Sequence, residues 1–135
     1  MNGKIYYQSG YKYQLVHSYT VQTSVIPKKN IKTRFISLDT DGVLIVNVGY
    51  AWDGPSGPTI DTKNFMRGSL VHDALYQLIR QEYLSGTDRI KADKELKRIC
   101  KEDGMCKIRA WWVFVGCKYF GGSATKHKRK ILYAP

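Results

Sequence analysis

The sequence predicts an α+β fold in which a small antiparallel β-sheet precedes a three-helix unit. Within residues 1–50 apolar and polar residues alternate, whereas within residues 62–122 apolar residues recur every three or four positions. Residues 51–61, rich in glycine and proline, separate the two patterns and are expected to form a loop. We therefore expect a single domain over residues 1–135 that ends in a basic tail at 123–135.

Two regions of alternating hydrophobicity predict the strands of the β part. The first covers residues 11–15 and 19–25 and ends at Pro27. The second has strand-like runs at residues 31–38 and 43–48. An Asp-Gly pair lies between these two runs, and because this pair is common in tight turns between antiparallel strands, we expect a hairpin here.

Apolar residues at helical spacing predict three helices in the second half. The first is expected from Thr62 or Lys63 to Tyr83, and a Ser-Gly-Thr-Asp segment then interrupts the pattern. The second is expected to end at Gly104, and the third to run from Met105 to about residue 120. Residues expected on one face of the first helix are Phe65, Ser69, His72, Leu75, Tyr76 and Ile79; those on the inward face of the second are Ile90, Asp93, Leu96 and Cys100.

Composition and charge narrow the class of protein. Hydrophobic residues make up 43% of the 135 residues and aromatic residues 13%, enough to build a core and too many for a disordered chain. The formal net charge of +11 favours polyanionic partners such as nucleic acid or anionic lipid. The three cysteines are too few and odd in number for a disulfide framework, and because no CxxC pair occurs among them, a zinc site is not expected. We also expect no signal peptide and no transmembrane segment, since no apolar run approaches about 18 residues.

Two polar residues fall where apolar ones are expected. His72 lies on the apolar stripe of the first helix, four residues before Tyr76, and Asp93 lies on the inward face of the second. A buried carboxylate needs hydrogen-bond donors, so we expect the two helices to pack antiparallel with Asp93 accepting from His72 and Tyr76. The pair would fix the imidazole tautomer and leave the other ring nitrogen free as a general base. The predicted catalytic residues are therefore His72, Asp93 and Tyr76.

Asp73 is the candidate metal ligand. One residue on from His72, its side chain is rotated by about 100° around the helix and can emerge beside the pair. Hard cations such as calcium prefer carboxylate and carbonyl oxygens, which a glycine-containing loop can supply. The expected further ligands from that loop are Asp53, Gly54, Ser56 and Gly57. Calcium bound there would polarise an ester or amide carbonyl while His72 activates water.

Each feature also has a plainer interpretation. His72, Tyr76 and Asp93 can form a buried polar clip that only holds two helices together. Asp73 can be a solvated or capping carboxylate, and the Gly/Pro loop a simple connector. Tyr11, Tyr13 and Tyr19 can belong to the core of the sheet, or they can stack bases in a basic groove.

The motifs resemble a family of uncharacterised proteins of tailed bacteriophages and prophages, a domain of unknown function. The resemblance covers about residues 24–122. Its parts are Gly49-Tyr50-Ala51-Trp52-Asp53-Gly54-Pro55-Ser56-Gly57-Pro58, similar to the family's Asp-Gly-x-Ser-x-Pro pattern; Val71-His72-Asp73-Ala74-Leu75-Tyr76, similar to its His-Asp-x-Leu-Tyr; Lys91-Ala92-Asp93; and the aromatic helix from Trp111 to Gly121.

A second resemblance concerns the chemistry. His72-Asp73-x-x-Tyr76, followed by a helix with Asp93, is similar to the active-site helices of calcium-dependent secretory phospholipases and of the phospholipase domain of parvovirus capsids. It implies that His72 is the base, Asp73 a calcium ligand, and Asp93 and Tyr76 orienting partners.

Together these features favour a bacteriophage-encoded, metal-assisted hydrolase with an ester, lipid or cell-envelope substrate. The alternatives are a non-catalytic structural or assembly protein of the phage tail or capsid, and a basic module that binds nucleic acid or a host factor. The expected partners are other virion proteins or the host envelope, with weaker binding to polyanions. The expected location is the virion or the host cytoplasm.

Overall fold

The computed structural model describes residues 5, 7–8, 13–52, 63–106, 109–111 and 113–115. These residues fall into two compact units, one made of strands and one made of helices. The predicted α+β class, with an antiparallel β region first and helices after it, is confirmed.

In the part of the chain that the structure describes, seven short strands form two antiparallel sheets. In chain order they are β1 (Tyr7–Gln8), β2 (Tyr13–Leu15), β3 (Tyr19–Gln22), β4 (Ile31–Lys32), β5 (Ile36–Leu38), β6 (Val43–Val46) and β7 (Ala51–Trp52). The three-stranded sheet has the order β1-β2-β7, and the four-stranded sheet has the order β3-β6-β5-β4.

The four-stranded sheet buries one face. Val21 pairs with Leu44, and Leu44 pairs with Leu38, so three buried aliphatic side chains lie side by side across β3, β6 and β5. Thr20 and Gln22, the neighbours of Val21 along β3, are exposed. The alternation in the sequence therefore marks the buried face correctly.

The Asp-Gly turn forms the predicted hairpin between β5 and β6. Gly42 has φ +83°, a left-handed conformation that glycine adopts without a side-chain clash. The Asp39 carboxylate closes the turn by accepting the amides of Asp41 (2.9 Å) and Val43 (3.0 Å).

Two predictions for the β part are wrong. Residues 31–38 do not form one strand, because the chain reverses at Thr33 and β4 pairs with β5 instead of continuing it. The Thr33 hydroxyl accepts the Ile36 amide at 3.0 Å and donates to the Ile36 carbonyl at 2.9 Å, which stabilises the reversal. Residues 51–52, assigned to the loop, belong instead to the sheet as β7, with the Trp52 ring 5.7 Å from that of Tyr13.

Two long helices pack antiparallel in the second unit, as predicted. They are α1 (Lys63–Arg80) and α2 (Arg89–Glu102), joined through a 3-10 turn at Gly86–Asp88. The side chain of Arg67, near the start of α1, contacts residues at the end of α2, whereas Tyr76, one helical turn from the end of α1, contacts Asp93 near the start of α2.

Helix α1 ends three residues earlier than Tyr83. Glu82 adopts φ +66°, and the amides of Glu82 and Tyr83 bond back to the carbonyls of Ile79 (3.0 Å) and Leu78 (2.9 Å). Glycine normally fills a left-handed position of this kind. Because glutamate occupies it here, the sequence has no glycine to mark the end of α1. Glycine does mark the end of α2, where Gly104 has φ +97° and confirms the predicted stop.

Helix α1 is buried on all sides and not on one face alone. Of residues 66–79 every one is buried except Asp73, including the polar Arg67 and Gln77. The prediction of a single apolar stripe is therefore too narrow, and α1 is a central helix of its unit.

A third helical region, called α3 here, comprises residues 109–111 and 113–115. Met105 and Cys106 are not helical, so the helix starts later than the predicted Met105. Ala110 and Val113 pack on a cluster with Leu96, Cys100 and Met105, while Trp111 is 49% exposed. Among the residues described, no helix is long and apolar enough to cross a bilayer.

Candidate functional site

Three side chains from α1 and α2 meet inside the helical unit. The Nε2 atom of His72 lies 2.7 Å from Oδ1 of Asp93, and the Tyr76 hydroxyl donates to the same oxygen at 2.5 Å. His72 and Tyr76 are one helical turn apart, which brings both above the same carboxylate. The predicted hydrogen bonds from His72 and Tyr76 to Asp93 are thus confirmed.

The bond to Asp93 determines how the imidazole is oriented. A carboxylate only accepts hydrogen bonds, so the proton of the neutral ring lies on Nε2. The other nitrogen, Nδ1, is then the unprotonated one, and it lies 3.9 Å from Oδ1 of Asp73. A nitrogen held in this way can accept a proton from a water molecule beside Asp73.

Burial differs among the members of the site. Asp93 has no exposed surface, and Tyr76 is 4% exposed, whereas His72 is 8% exposed and 37% of the Asp73 side chain is exposed. The rings of His72 and Tyr76 lie 4.0 Å apart at 41° and so restrict each other. The orienting groups are therefore deep in the fold, and the Asp73 carboxylate reaches solvent.

The sequence analysis assigned no contact to the second carboxylate oxygen of Asp93, Oδ2. Among the described residues, Oδ2 of Asp93 is a buried side-chain atom without a hydrogen-bond partner. Nη1 of Arg89, one turn earlier on α2, lies 3.6 Å from this oxygen. The i, i+4 spacing of Arg89 and Asp93 is the signal in the sequence that would have suggested this contact.

A second polar cluster joins the start of α1 to the end of α2. The buried Arg67 donates from Nε to Oδ2 of Asp103 and from Nη2 to Oε1 of Glu102, both at 2.9 Å. Arg98 pairs with Glu102 and, at 2.6 Å, with Glu95. Burial acts to raise the pKa of Glu102, but hydrogen bonding to Arg67 and the charge of Arg98 outweigh it, so that this pKa lies below its ordinary value. The sequence analysis missed this cluster because its members lie about 35 positions apart.

The predicted metal ligands are only partly described. Asp73 lies beside His72 as expected, while Asp53, Gly54, Ser56 and Gly57 lie outside the described residues. Within the described part, no three His, Cys, Asp or Glu side chains are close enough to hold an ion together. If Asp73 binds a hard cation, the other oxygen ligands of that cation would have to come from other groups.

Comparison of the chain with models of protein families, with curated proteins and with solved structures found no match. The two resemblances stated above therefore remain predictions from motifs.

Proposed function

We propose that the chain is a metal-assisted hydrolase in which His72 is the general base. The observation that carries the proposal is the 2.7 Å bond between His72 Nε2 and Asp93 Oδ1, because it leaves Nδ1 unprotonated on the side of Asp73. The proposal keeps the substrate class and bacteriophage origin that the motifs imply: an ester, lipid or component of the cell envelope.

The chain's own residues account for the proton transfers of such a reaction. Nδ1 of His72 takes a proton from a water molecule, and the resulting hydroxide attacks the carbonyl carbon of the ester. The imidazolium that forms is stabilised by Asp93, which is held by Tyr76. When the carbon–oxygen bond breaks, Nδ1–H returns the proton to the departing alkoxide. A divalent cation bound by Asp73 would supply positive charge to the carbonyl oxygen.

Activity on short-chain esters and on phospholipid vesicles tests the proposal. We expect hydrolysis by the full chain in calcium, and a loss of about 10²- to 10⁴-fold in rate for His72→Gln, the range contributed by a general base. In Asp73→Asn, calcium should no longer increase the rate of hydrolysis, and it should no longer raise the melting temperature.

Ser69→Ala is the matched control. Ser69 is a second buried polar residue of the same helix, and its hydroxyl donates to the Met66 carbonyl at 2.8 Å. This variant should retain activity. Full activity in His72→Gln would contradict the role of His72, and inactivity of the parent chain with calcium, magnesium and zinc would contradict the hydrolase.

The burial of the site favours a second candidate, the non-catalytic structural protein. Only 11% of the His72 side chain is exposed, as in a polar clip that joins two helices. This candidate predicts a large loss of stability in His72→Gln with no hydrolysis in the parent chain. It also predicts that the protein is recovered in fixed proportion to the other components of purified phage particles.

A further inference from the structure

Three lysines of α2 lie together on its water-facing side. Lys94, Lys97 and Lys101 are spaced i, i+3 and i+7, which places them within an arc of about 60° and at successive steps of about 4.5 and 6 Å along the axis. Most buried side chains of α2 lie on the other side of the helix, while Asp93 precedes Lys97 by one turn and is about 40° from it around the axis. Asp93 has no exposed surface, so the three lysines are a surface feature distinct from the buried His72–Asp93 pair.

The row of lysines is not neutralised within the part of the chain that is described. The neighbouring cations of α2 have partners: Arg98 pairs with Glu95 and Glu102, and Lys91 lies 4.0 Å from Asp88. None of the described carboxylates lies within ion-pair distance of Lys94, Lys97 or Lys101. Lys94 and Lys101 are exposed and Lys97 is half-buried, so three positive charges without a described acidic partner lie in a row on a chain whose net charge is already +11.

One aromatic ring of α3 lies beside this row. The Nζ atom of Lys97 is 5.5 Å from the centre of the Phe114 ring, which fixes the register between α2 and α3. Trp111 is one helical turn before Phe114 and therefore shares a side of α3 with it. Trp111 is 49% exposed.

We propose that Lys94, Lys97, Lys101 and Trp111 form a binding surface for single-stranded nucleic acid. Lysines spaced along an axis neutralise successive phosphates, and a half-exposed indole on the helix that contacts Lys97 can stack on a base. A membrane surface fits less well, because an interfacial helix needs a broad apolar face, whereas this side of α2 is a row of charges. The proposal does not depend on the hydrolase.

Binding of the full chain to a fluorescent oligothymidylate, followed by anisotropy at several salt concentrations, tests the surface. The triple variant Lys94→Gln, Lys97→Gln, Lys101→Gln should bind more weakly, and its slope of log K against log salt should be smaller in magnitude by about 2, since each phosphate contact on a single strand contributes about 0.7. Trp111→Ala should weaken binding by about 5- to 150-fold, the equivalent of one stacked base.

Two matched controls separate this surface from general charge and exposed aromatic area. The triple variant Lys28→Gln, Lys29→Gln, Lys32→Gln removes the same charge from exposed lysines of the β unit, and Tyr83→Ala removes a ring that is 51% exposed. Both should bind like the parent chain, and all variants should show parental circular dichroism.

Several outcomes would overturn the proposal. If the two triple lysine variants lost affinity equally, net charge alone would attract the oligonucleotide. If Trp111→Ala bound the oligonucleotide as tightly as the parent chain, Trp111 would not stack on a base. Binding to vesicles containing phosphatidylserine, without binding to the oligonucleotide, would assign the surface to a membrane.

Discussion

Asp93 combines complete burial with two oxygens in unequal surroundings. Oδ1 accepts from His72 and Tyr76, whereas Oδ2 has no hydrogen-bond partner among the described residues and lies 3.6 Å from Nη1 of Arg89. Buried charge is costly unless it is hydrogen-bonded, so the two donors on Oδ1 carry most of the compensation. The same residues that would orient the catalytic imidazole therefore also hold the helices together.

This dual role makes Tyr76 a measurable contributor to stability. We expect Tyr76→Phe to lower the free energy of unfolding by about 1.5–3 kcal/mol, the range for a hydrogen bond to a charged group. The change keeps the ring and its contact with His72, so packing is almost unaltered. Urea denaturation of the two proteins measures the difference.

Tyr83→Phe is the control for this measurement. Tyr83 is 51% exposed, and loss of its hydroxyl should change the free energy by less than about 0.5 kcal/mol. Equal effects of the two substitutions would show that the bond from Tyr76 to Asp93 does not stabilise the fold.

At the level of the helices, a close approach of α1 and α2 depends on Gly68. A Cβ atom at this position would lie 2.7 Å from Sγ of Cys100 and 3.0 Å from Cδ1 of Leu96. The helices can pack at this distance because glycine has no side chain. Along α1, Gly68 directly follows Arg67 and lies one turn before His72.

We therefore expect Gly68→Ala to destabilise the protein by on the order of 1 kcal/mol. Overpacking costs about 1–3 kcal/mol, which exceeds the gain of about 1 kcal/mol from replacing glycine by alanine within a helix. Thermal denaturation compared with Gly86→Ala checks this, because a Cβ at Gly86 would meet nothing within 4 Å. A Gly68→Ala protein more stable than its parent would show that the helices move apart without cost.

At the scale of the whole molecule, the cluster around Glu102 links stability to pH. The pKa of Glu102 in the folded protein lies below its ordinary value of 4.5, because Arg67 and Arg98 favour the charged form more strongly than burial opposes it. Ionised Glu102 therefore stabilises the folded state above pH 4.5, and this contribution is lost as the pH falls through the lowered pKa.

The pH dependence of unfolding in the parent chain and in Glu102→Gln measures this contribution. The parent should be the more stable protein near neutral pH, and the difference should shrink as the pH is lowered below 4.5. A difference that grows with acidification would have the wrong sign and would contradict the role of the two arginines.

Much of the fold follows from local patterns. The hairpin at Gly42 and the end of α2 at Gly104 were predictable because each needs a left-handed residue that glycine supplies. The end of α1 was not, because Glu82 takes that conformation without a glycine. The break in residues 31–38 was also missed, since Thr33 reverses the chain through side-chain bonds that no periodicity reveals.

The sequence by itself determined the α+β class, the two antiparallel helices and the pairing of His72 with Asp93. It could do so because hydrophobic periodicity shows which side of a helix is buried, and a polar residue on that side must find a partner. Only the tertiary structure decided which nitrogen of His72 faces Asp93, that Arg67 is buried against Glu102 and Asp103, and that the Phe114 ring lies beside Lys97 of α2. These features depend on the distance and register between elements, which arise from packing between residues far apart in the chain.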